Sequence, residues 1–254
     1  MTEMKDFTGR SALITGAASG IGAACAKALA ERGAAKLFLN DVNADGIEAL
    51  QLDCEVVPVI GSVADEGLWN ALASQLAGLD HAVVNAGIGG FGAVADLEFA
   101  EWRRVMDINL DGAFLTLRAA LRGIKAKSAD TGGSVVITAS STGIKPVPMI
   151  GPYGPAKAAV AHMARIAAME NAGENIRVNA IAPGGVDTAI WEGGEDFKRS
   201  VEAIGREKTI ERMAKTTPLQ RFASSEEIAD NILYLLSDAN ITGHVLVTDG
   251  GFTL

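Results

Sequence analysis

Tyr153 and Lys157 stand four residues apart at the start of an alanine-rich run, Tyr153–Asn171. On a helix that spacing puts both side chains on one face, with Cβ atoms about 5–6 Å apart. An ammonium held beside a phenol favours the phenolate and lowers a pKa that starts near ~10. The spacing therefore predicts a tyrosine that takes or gives a proton near neutral pH. Such pairs also arise by chance, so their weight depends on what surrounds them. Ser140 lies 13 residues upstream, at the end of the apolar run Ser134–Ala139. Its hydroxyl both donates and accepts, which suits a substrate oxygen. Pro155 falls inside the pair. Proline is tolerated in a helix's first turn, where N–H groups lack partners anyway, so the helix is expected to begin near Pro152–Tyr153.

A second constellation lies near the start of the chain, Thr15-Gly-Ala-Ala-Ser-Gly-Ile-Gly22. It follows an apolar run and opens a helical one. Gly16 permits a tight turn, Gly20 lets backbone approach a ligand, and Gly22 lets helix and strand pack closely. The helix start at Ser19, Gly20 and Ile21 offers free N–H groups and partial positive charge to a pyrophosphate. Asp41 follows Gly22 by 19 residues, at the end of the second apolar run. That is the place of an acid that hydrogen-bonds adenosine ribose hydroxyls. A 2′-phosphate there would meet a like charge, worth roughly 4 kcal/mol at ~4 Å and an effective dielectric of ~20 before screening. The neighbours Asn40 and Val42 supply no cation. NAD is thus expected over NADP. A turn or cap role for Asp41 is the structural alternative. No G-x-x-x-x-G-K-[ST] and no G-x-S-x-G occurs, so neither a P-loop nor a hydrolase nucleophile is supported.

These residues need a frame that brings them to one edge. Short apolar runs at Ser11–Thr15, Lys36–Asn40, Val56–Ile60, Ala82–Asn85, Ser134–Ala139, Ile176–Ile181 and Val245–Thr248 read as strands. Pro58 weakens the third. Helices are expected over Ile21–Arg32, Asp45–Leu52, Glu66–Leu76, Glu98–Lys127, Tyr153–Asn171 and Ser225–Leu236. Alternating βα units with continuously apolar strands predict α/β architecture. This is a doubly wound, Rossmann-type parallel sheet of about seven strands with helices on both faces. Residues 1–254 are expected to form one domain. The irregular stretch Thr188–Thr217 follows a strand's carboxyl end and is expected to be a lid over the site.

Bulk properties narrow the classes. The 254 residues are 48% hydrophobic and 21% charged, enough to bury a large core. The net charge of −9 and the lack of a Lys/Arg cluster argue against nucleic acid and anionic membrane surfaces. No apolar run reaches the ~20 residues of a membrane span, and Met1–Asp6 is polar. Two cysteines, Cys25 and Cys54, build no disulfide framework, which suits a cytoplasmic setting. His81, His162 and His244 match no metal spacing, so no metal is expected. Most acidic residues are expected on the solvated surface.

In sum, the sequence resembles the short-chain dehydrogenase/reductase family, in its compact single-domain branch, from Gly9 to Phe252. The family's T-G-x-x-x-G-x-G is matched at Thr15–Gly22 and its N-A-G at Asn85, Ala86 and Gly87. Its helix-borne asparagine is matched at Asn109, its serine at Ser140, and Y-x-x-x-K at Tyr153 and Lys157. Its P-G turn and threonine fall at Pro183, Gly184 and Thr188, and its D-G-G at Asp249–Gly251. The resemblance implies Tyr153 as general acid/base, with Lys157 holding the nicotinamide ribose and lowering the tyrosine pKa. It implies Ser140 orienting the substrate oxygen and Asn109 anchoring a water in a proton relay to Lys157. Cofactor contacts are expected from Gly16, Ser19, Gly20, Ile21, Gly22 and Asp41. Others are expected from Val63, Asn85, Ala86 and Gly87, from Tyr153 and Lys157, and from Pro183, Gly184, Val186 and Thr188. Where the family often has an adenine-binding acid, this chain has Ser62.

The expected activity is NAD-dependent interconversion of a secondary alcohol and a ketone. Gly143–Pro152 and Trp191 are largely apolar, which favours a hydrophobic substrate such as a cyclic or aromatic one. Two alternatives stand beside it: an NADP-dependent reductase of 3-oxoacyl carriers, and a nucleotide-binding protein without chemistry. Apolar residues on more than one face of the two longest helices call for cover by a second subunit, and the family resemblance implies a homotetramer.

Overall fold

The computed structural model describes residues 7–127 and 132–254; the polar start Met1–Asp6 lies outside the described residues. Seven strands pair in parallel in the order β3-β2-β1-β4-β5-β6-β7. They are β1 (Ser11–Thr15), β2 (Lys36–Asp41), β3 (Glu55–Ile60), β4 (His81–Val84), β5 (Gly133–Thr138), β6 (Ile176–Pro183) and β7 (Val245–Thr248). The helices are α1 (Gly20–Glu31), α2 (Ala44–Glu48), α3 (Glu66–Leu72), α4 (Phe99–Met106), α5 (Gly112–Lys125), α6 (Tyr153–Asn171), α7 (Glu195–Ile204), α8 (Arg206–Ala214) and α9 (Ser225–Ser237). The doubly wound α/β expectation holds. The chain leaves β1 in one direction to β2 and β3, then returns to β4 and proceeds in the other. The crevice between β1 and β4 is therefore the switch point, where ligands bind at the strands' carboxyl ends.

Alternate residues of each central strand face opposite layers, because side chains alternate along a strand. Leu13, Val135 and Ile137 join a core with Leu117, Ile124, Val160 and Ala164 of α5 and α6. Ile14, Val83 and Val136 join the opposite core, with Leu29 of α1 and Ile232, Leu233 and Leu236 of α9. Pro58 pairs opposite Leu39, but β3 is an edge strand, where the missing N–H disrupts no central ladder.

The helix expected over Glu98–Lys127 is not continuous. A π-helical turn, Asp107–Asp111, separates α4 from α5. The side chains of the turn carry no interruption that periodicity would register. The helix expected over Asp45–Leu52 is one short turn, α2, capped by Asn43, whose oxygen accepts from Gly46 N at 3.0 Å.

Candidate active site

The parallel sheet sends every strand's carboxyl end to one edge, so the sequence-distant candidates meet there. The Thr15 hydroxyl ends β1 fully buried and accepts from Asn85 N at 3.0 Å and Ala86 N at 3.1 Å. The Asn85 amide donates back to Thr15 O at 3.1 Å, and its oxygen accepts from Thr138 Oγ1 at 3.2 Å. The N-A-G segment is thus fastened to β1 and β5 together.

Two glycines of the first turn have no room for a side chain. A Cβ on Gly22 would stand 2.1 Å from Gly16 O. Gly16 has φ +66°, and its Cβ would stand 3.0 Å from Ala86 Cα across the crevice. Ser19 begins α1 but its side chain caps no backbone N–H. The first N–H groups of this helix thus have no side-chain acceptor from Ser19, the arrangement an anion cradle requires. Asp41 ends β2; its Oδ2 accepts from Ala18 N and its Oδ1 from Asn43 N, each at 3.0 Å. These bonds fix the carboxylate beside the glycine turn and leave lone pairs for two hydroxyls. Val63 is buried, and its carbonyl accepts from Trp69 Nε1 at 2.8 Å. The Ser62 hydroxyl accepts from Ala64 N at 3.2 Å.

Tyr153 begins α6, as the Pro155 reading requires. Lys157 is buried, and its Nζ donates to Thr138 O at 2.8 Å and lies 5.6 Å from the Tyr153 ring centroid. Ser140 is buried just past β5; its Oγ accepts from Thr142 N at 3.2 Å and lies 2.9 Å from Thr142 Oγ1. Burial pushes the Tyr153 phenol up to about 12, against a hydrogen bond from the Ser140 side that pulls it down. Desolvation of the phenolate outweighs the chain's own contacts. Burial lowers Lys157 to about 8, because desolvation disfavours the charged ammonium.

Asn109 lies in the π-helical turn and is buried. Its Oδ1 accepts from Ile88 N at 3.2 Å, and its Nδ2 donates to Ile88 O at 3.0 Å and Val105 O at 3.1 Å. The side chain therefore holds the segment after Gly87. A Cβ on Gly87 would lie 2.6 Å from Asn109 Oδ1 and 3.3 Å from Lys157 Nζ, so glycine lets the two groups face one another.

Pro183 ends β6, and Gly184 N donates to Thr248 O at 3.1 Å. Val186 is buried, and its carbonyl accepts from Trp191 Nε1 at 2.8 Å. Thr188 reaches the glycine turn: its Cγ2 would stand 3.1 Å from a Cβ on Gly20. The stretch Thr188–Thr217 folds as a 3-10 turn, Ala189–Gly193, followed by α7 and α8. Among the described residues no helix is long and apolar enough to cross a membrane, and no metal-holding cluster occurs.

Sequence reasoning missed Phe91 and Arg104. Phe91 sits in a run of glycines, Gly89-Gly90-Phe91-Gly92, which was the available signal. Arg104 donates to Gly89 O at 3.2 Å and pairs with Glu101. Sequence alone gives no sign of that contact.

Residues 16–253 match the family described as "Enoyl-(Acyl carrier protein) reductase". The cis-4-hydroxycyclohexanecarboxylate dehydrogenase of Sinomonas cyclohexanicum is 39% identical over 97% of this chain and 98% of its own length. The 2,5-dichloro-2,5-cyclohexadiene-1,4-diol dehydrogenase of Sphingobium indicum is 34% identical over 98% and 99%. The crystal structure of a short-chain type dehydrogenase/reductase from Mycobacterium marinum superposes with a TM-score of 0.84 at 32% identity, covering 99% of this chain and 98% of that one. The chain belongs to the short-chain dehydrogenase/reductase family.

Proposed function

We propose that this chain is an NAD-dependent dehydrogenase that interconverts a ring-bearing secondary alcohol and its ketone. The observation that carries the reading is the meeting of Ser140, Tyr153 and Lys157 at the sheet edge that also bears the glycine turn. Relatives whose names specify cyclohexane and cyclohexadiene alcohols support the substrate class. Bound NAD would supply the hydride acceptor and, when oxidised, a positive charge favouring the phenolate. The residues present fit it: a cradle without Cβ atoms at Gly16 and Gly22, an uncapped helix start, and a carboxylate placed for ribose.

In this reading Ser140 Oγ hydrogen-bonds the substrate oxygen. Tyr153 Oη takes the alcohol proton during oxidation and returns it during reduction. Lys157, oriented by Thr138 O, stabilises the phenolate and donates to the nicotinamide ribose. Asn109 holds the segment after the N-A-G turn through Ile88 and anchors a water that relays protons to Lys157. Asp41 selects NAD, because a 2′-phosphate would meet its charge. Residues 188–217 cover the site as a lid, within one domain. The exposed apolar residues Phe114 on α5 and Ile166 and Met169 on α6 support burial between subunits of a homotetramer. A cytoplasmic setting suits two unpaired cysteines.

The family description names a carrier-protein substrate, which keeps the alternative of an NADP-dependent 3-oxoacyl-carrier reductase in view. Following reduced-nicotinamide absorbance with NAD or NADP and a panel of ring alcohols separates the readings. NAD-linked turnover of ring alcohols is expected. Turnover with NADP alone, or nucleotide binding without turnover of any alcohol, would sink this assignment. Asp41→Ala is expected to weaken NAD by roughly 10-fold or more, the worth of a charged hydrogen bond, and to relax selection against NADP.

A further inference from the structure

Three loops leave the carboxyl ends of β4, β5 and β6, the sheet edge at which Ser140 and Tyr153 lie. Residues 88–92 form the first, and their ends are fixed. Asn109 holds Ile88 through both N–H and carbonyl, and Arg104 donates to Gly89 O at 3.2 Å. Gly92 N donates to Met149 O at 2.8 Å, and Gly151 N donates to Gly92 O at 3.0 Å. A Cβ on Gly90 would stand 2.9 Å from Cγ of Pro152, the residue before Tyr153. The first loop is therefore tied directly to the second, next to the acid/base candidate.

Between Gly89 and Gly92 this loop carries one side chain beyond Cα, Phe91. Its ring leans on the third loop. A Cβ on Gly194 would stand 3.3 Å from Phe91 Cζ and 3.4 Å from Cε2, and one on Gly193 would stand 3.8 Å from Cε2. The carbonyl of Ile190 lies 2.8 Å from the position of a Cβ on Gly89. The aromatic ring thus seats between its own loop and a pair of lid residues that have no side chains.

We infer that Phe91 is the aromatic wall that sets the size of ring the site accepts, held in place by the Gly193–Gly194 backbone. The inference rests on the ring-alcohol reading above. A rigid flat side chain excludes bulk better than a flexible aliphatic one. The glycine pair fixes how far the ring stands from the lid. Phe91 is a specificity-determining residue in this view and moves no proton.

The test compares kcat/KM for cyclohexanol and for the two-ring alcohol decahydro-2-naphthol in wild type, Phe91→Ala, Phe91→Leu, Gly194→Ala and Gly193→Ala. Removing the ring is expected to raise the two-ring to one-ring ratio by roughly 10-fold or more, the scale of pocket discrimination by a few methylenes. Gly194→Ala presses on the ring and should move the ratio the other way, while Gly193→Ala, at an ordinary contact distance, should leave it unchanged. A ratio constant within about twofold in Phe91→Ala, with both rates falling together, reduces Phe91 to lid packing and overturns the inference. Should Phe91→Ala not fold, Phe91→Leu and Gly194→Ala decide. Should wild type oxidise neither ring alcohol, the ring reading fails by itself. The same size comparison is then made with 2-butanol and 2-octanol, and a constant ratio there overturns the inference.

Discussion

The two edges of the sheet both gather buried polar groups, and they complete them differently. At the amino edge, the Asp80 carboxylate accepts from Ser11 N at 2.8 Å, from Ser11 Oγ at 3.0 Å and from Arg10 at 3.0 Å, and also pairs with Lys127. His81 Nδ1 meets Ser134 Oγ at 2.8 Å, and Ser134 donates to Leu236 O at 2.8 Å. Arg177 donates to the carbonyls that end α9. Each group there finds its partner within the protein. At the carboxyl edge, Asp41, Lys157 and Ser140 are fixed by one or two bonds each, and donor and acceptor capacity remains. The amino-edge groups pair with one another, whereas those at the carboxyl edge keep unused donor and acceptor capacity.

The helix starts repeat the contrast. α9 has a full capping box: Glu227 N donates to Ser224 Oγ at 3.1 Å, and Ser224 N donates to Glu227 Oε2 at 2.9 Å. α1 packs beside it against the same core, yet Ser19 caps nothing. The helix that follows the glycine turn lacks the side-chain cap that α9 has.

If the edges divide labour in this way, substitutions should separate activity from stability. The largest effect is expected from Tyr153→Phe: a loss of about 10²–10⁴-fold in turnover, with nucleotide affinity and melting temperature nearly unchanged. Comparable turnover in that variant would remove the proposed acid/base. Asp80→Asn should do the reverse. Loss of a buried, multiply bonded carboxylate costs on the order of 2–3 kcal/mol in a denaturant titration, with kcat per folded molecule intact. A large drop in kcat would break the division between edges.

Acid sharpens the same contrast. Arg10 and Lys127 hold Asp80 down to about 2 despite burial, and burial holds His81 down to about 4 from an ordinary 6.5. Below pH 6.5 the unfolded chain takes a histidine proton that the folded chain refuses. Stability therefore falls between about pH 6.5 and 4, by up to about 1.4 kcal/mol per pH unit. The Asp80 contribution is present above the ordinary carboxylate range and is lost toward pH 2. A His81→Asn variant should show a flatter midpoint-versus-pH curve over the first window. An unchanged slope would remove His81 from the account. The smallest effect is expected at the helix starts. Ser224→Ala should cost about 1 kcal/mol of stability, whereas Ser19→Ala should cost little stability and weaken nucleotide binding.

Much of the frame was legible because strand periodicity and glycine turns are local signals. Ser11–Thr15 and Val245–Thr248 were read to the residue, and the other strands to within two. The break in the helix after Met106 was not legible, since a π turn leaves side-chain types unchanged. Asp80 escaped as well. An aspartate at a strand's start looks like solvated surface until Arg10 and Lys127, 70 and 47 residues away, fold onto it. The candidate pair Tyr153–Lys157 was found by spacing. The burial that raises its phenol was not legible, because burial is a tertiary property that spacing does not carry.

The switch point between β1 and β4 has a consequence for measurement. Whatever settles in that crevice bridges the first three strands to the last four and so braces two stretches of chain that fold back from opposite directions. Occupancy then adds RT ln(1 + [L]/Kd) to the whole molecule, about 2.7 kcal/mol at a hundredfold excess over Kd. A simple melting curve with graded dinucleotide becomes a titration, readable even before any alcohol is known to turn over.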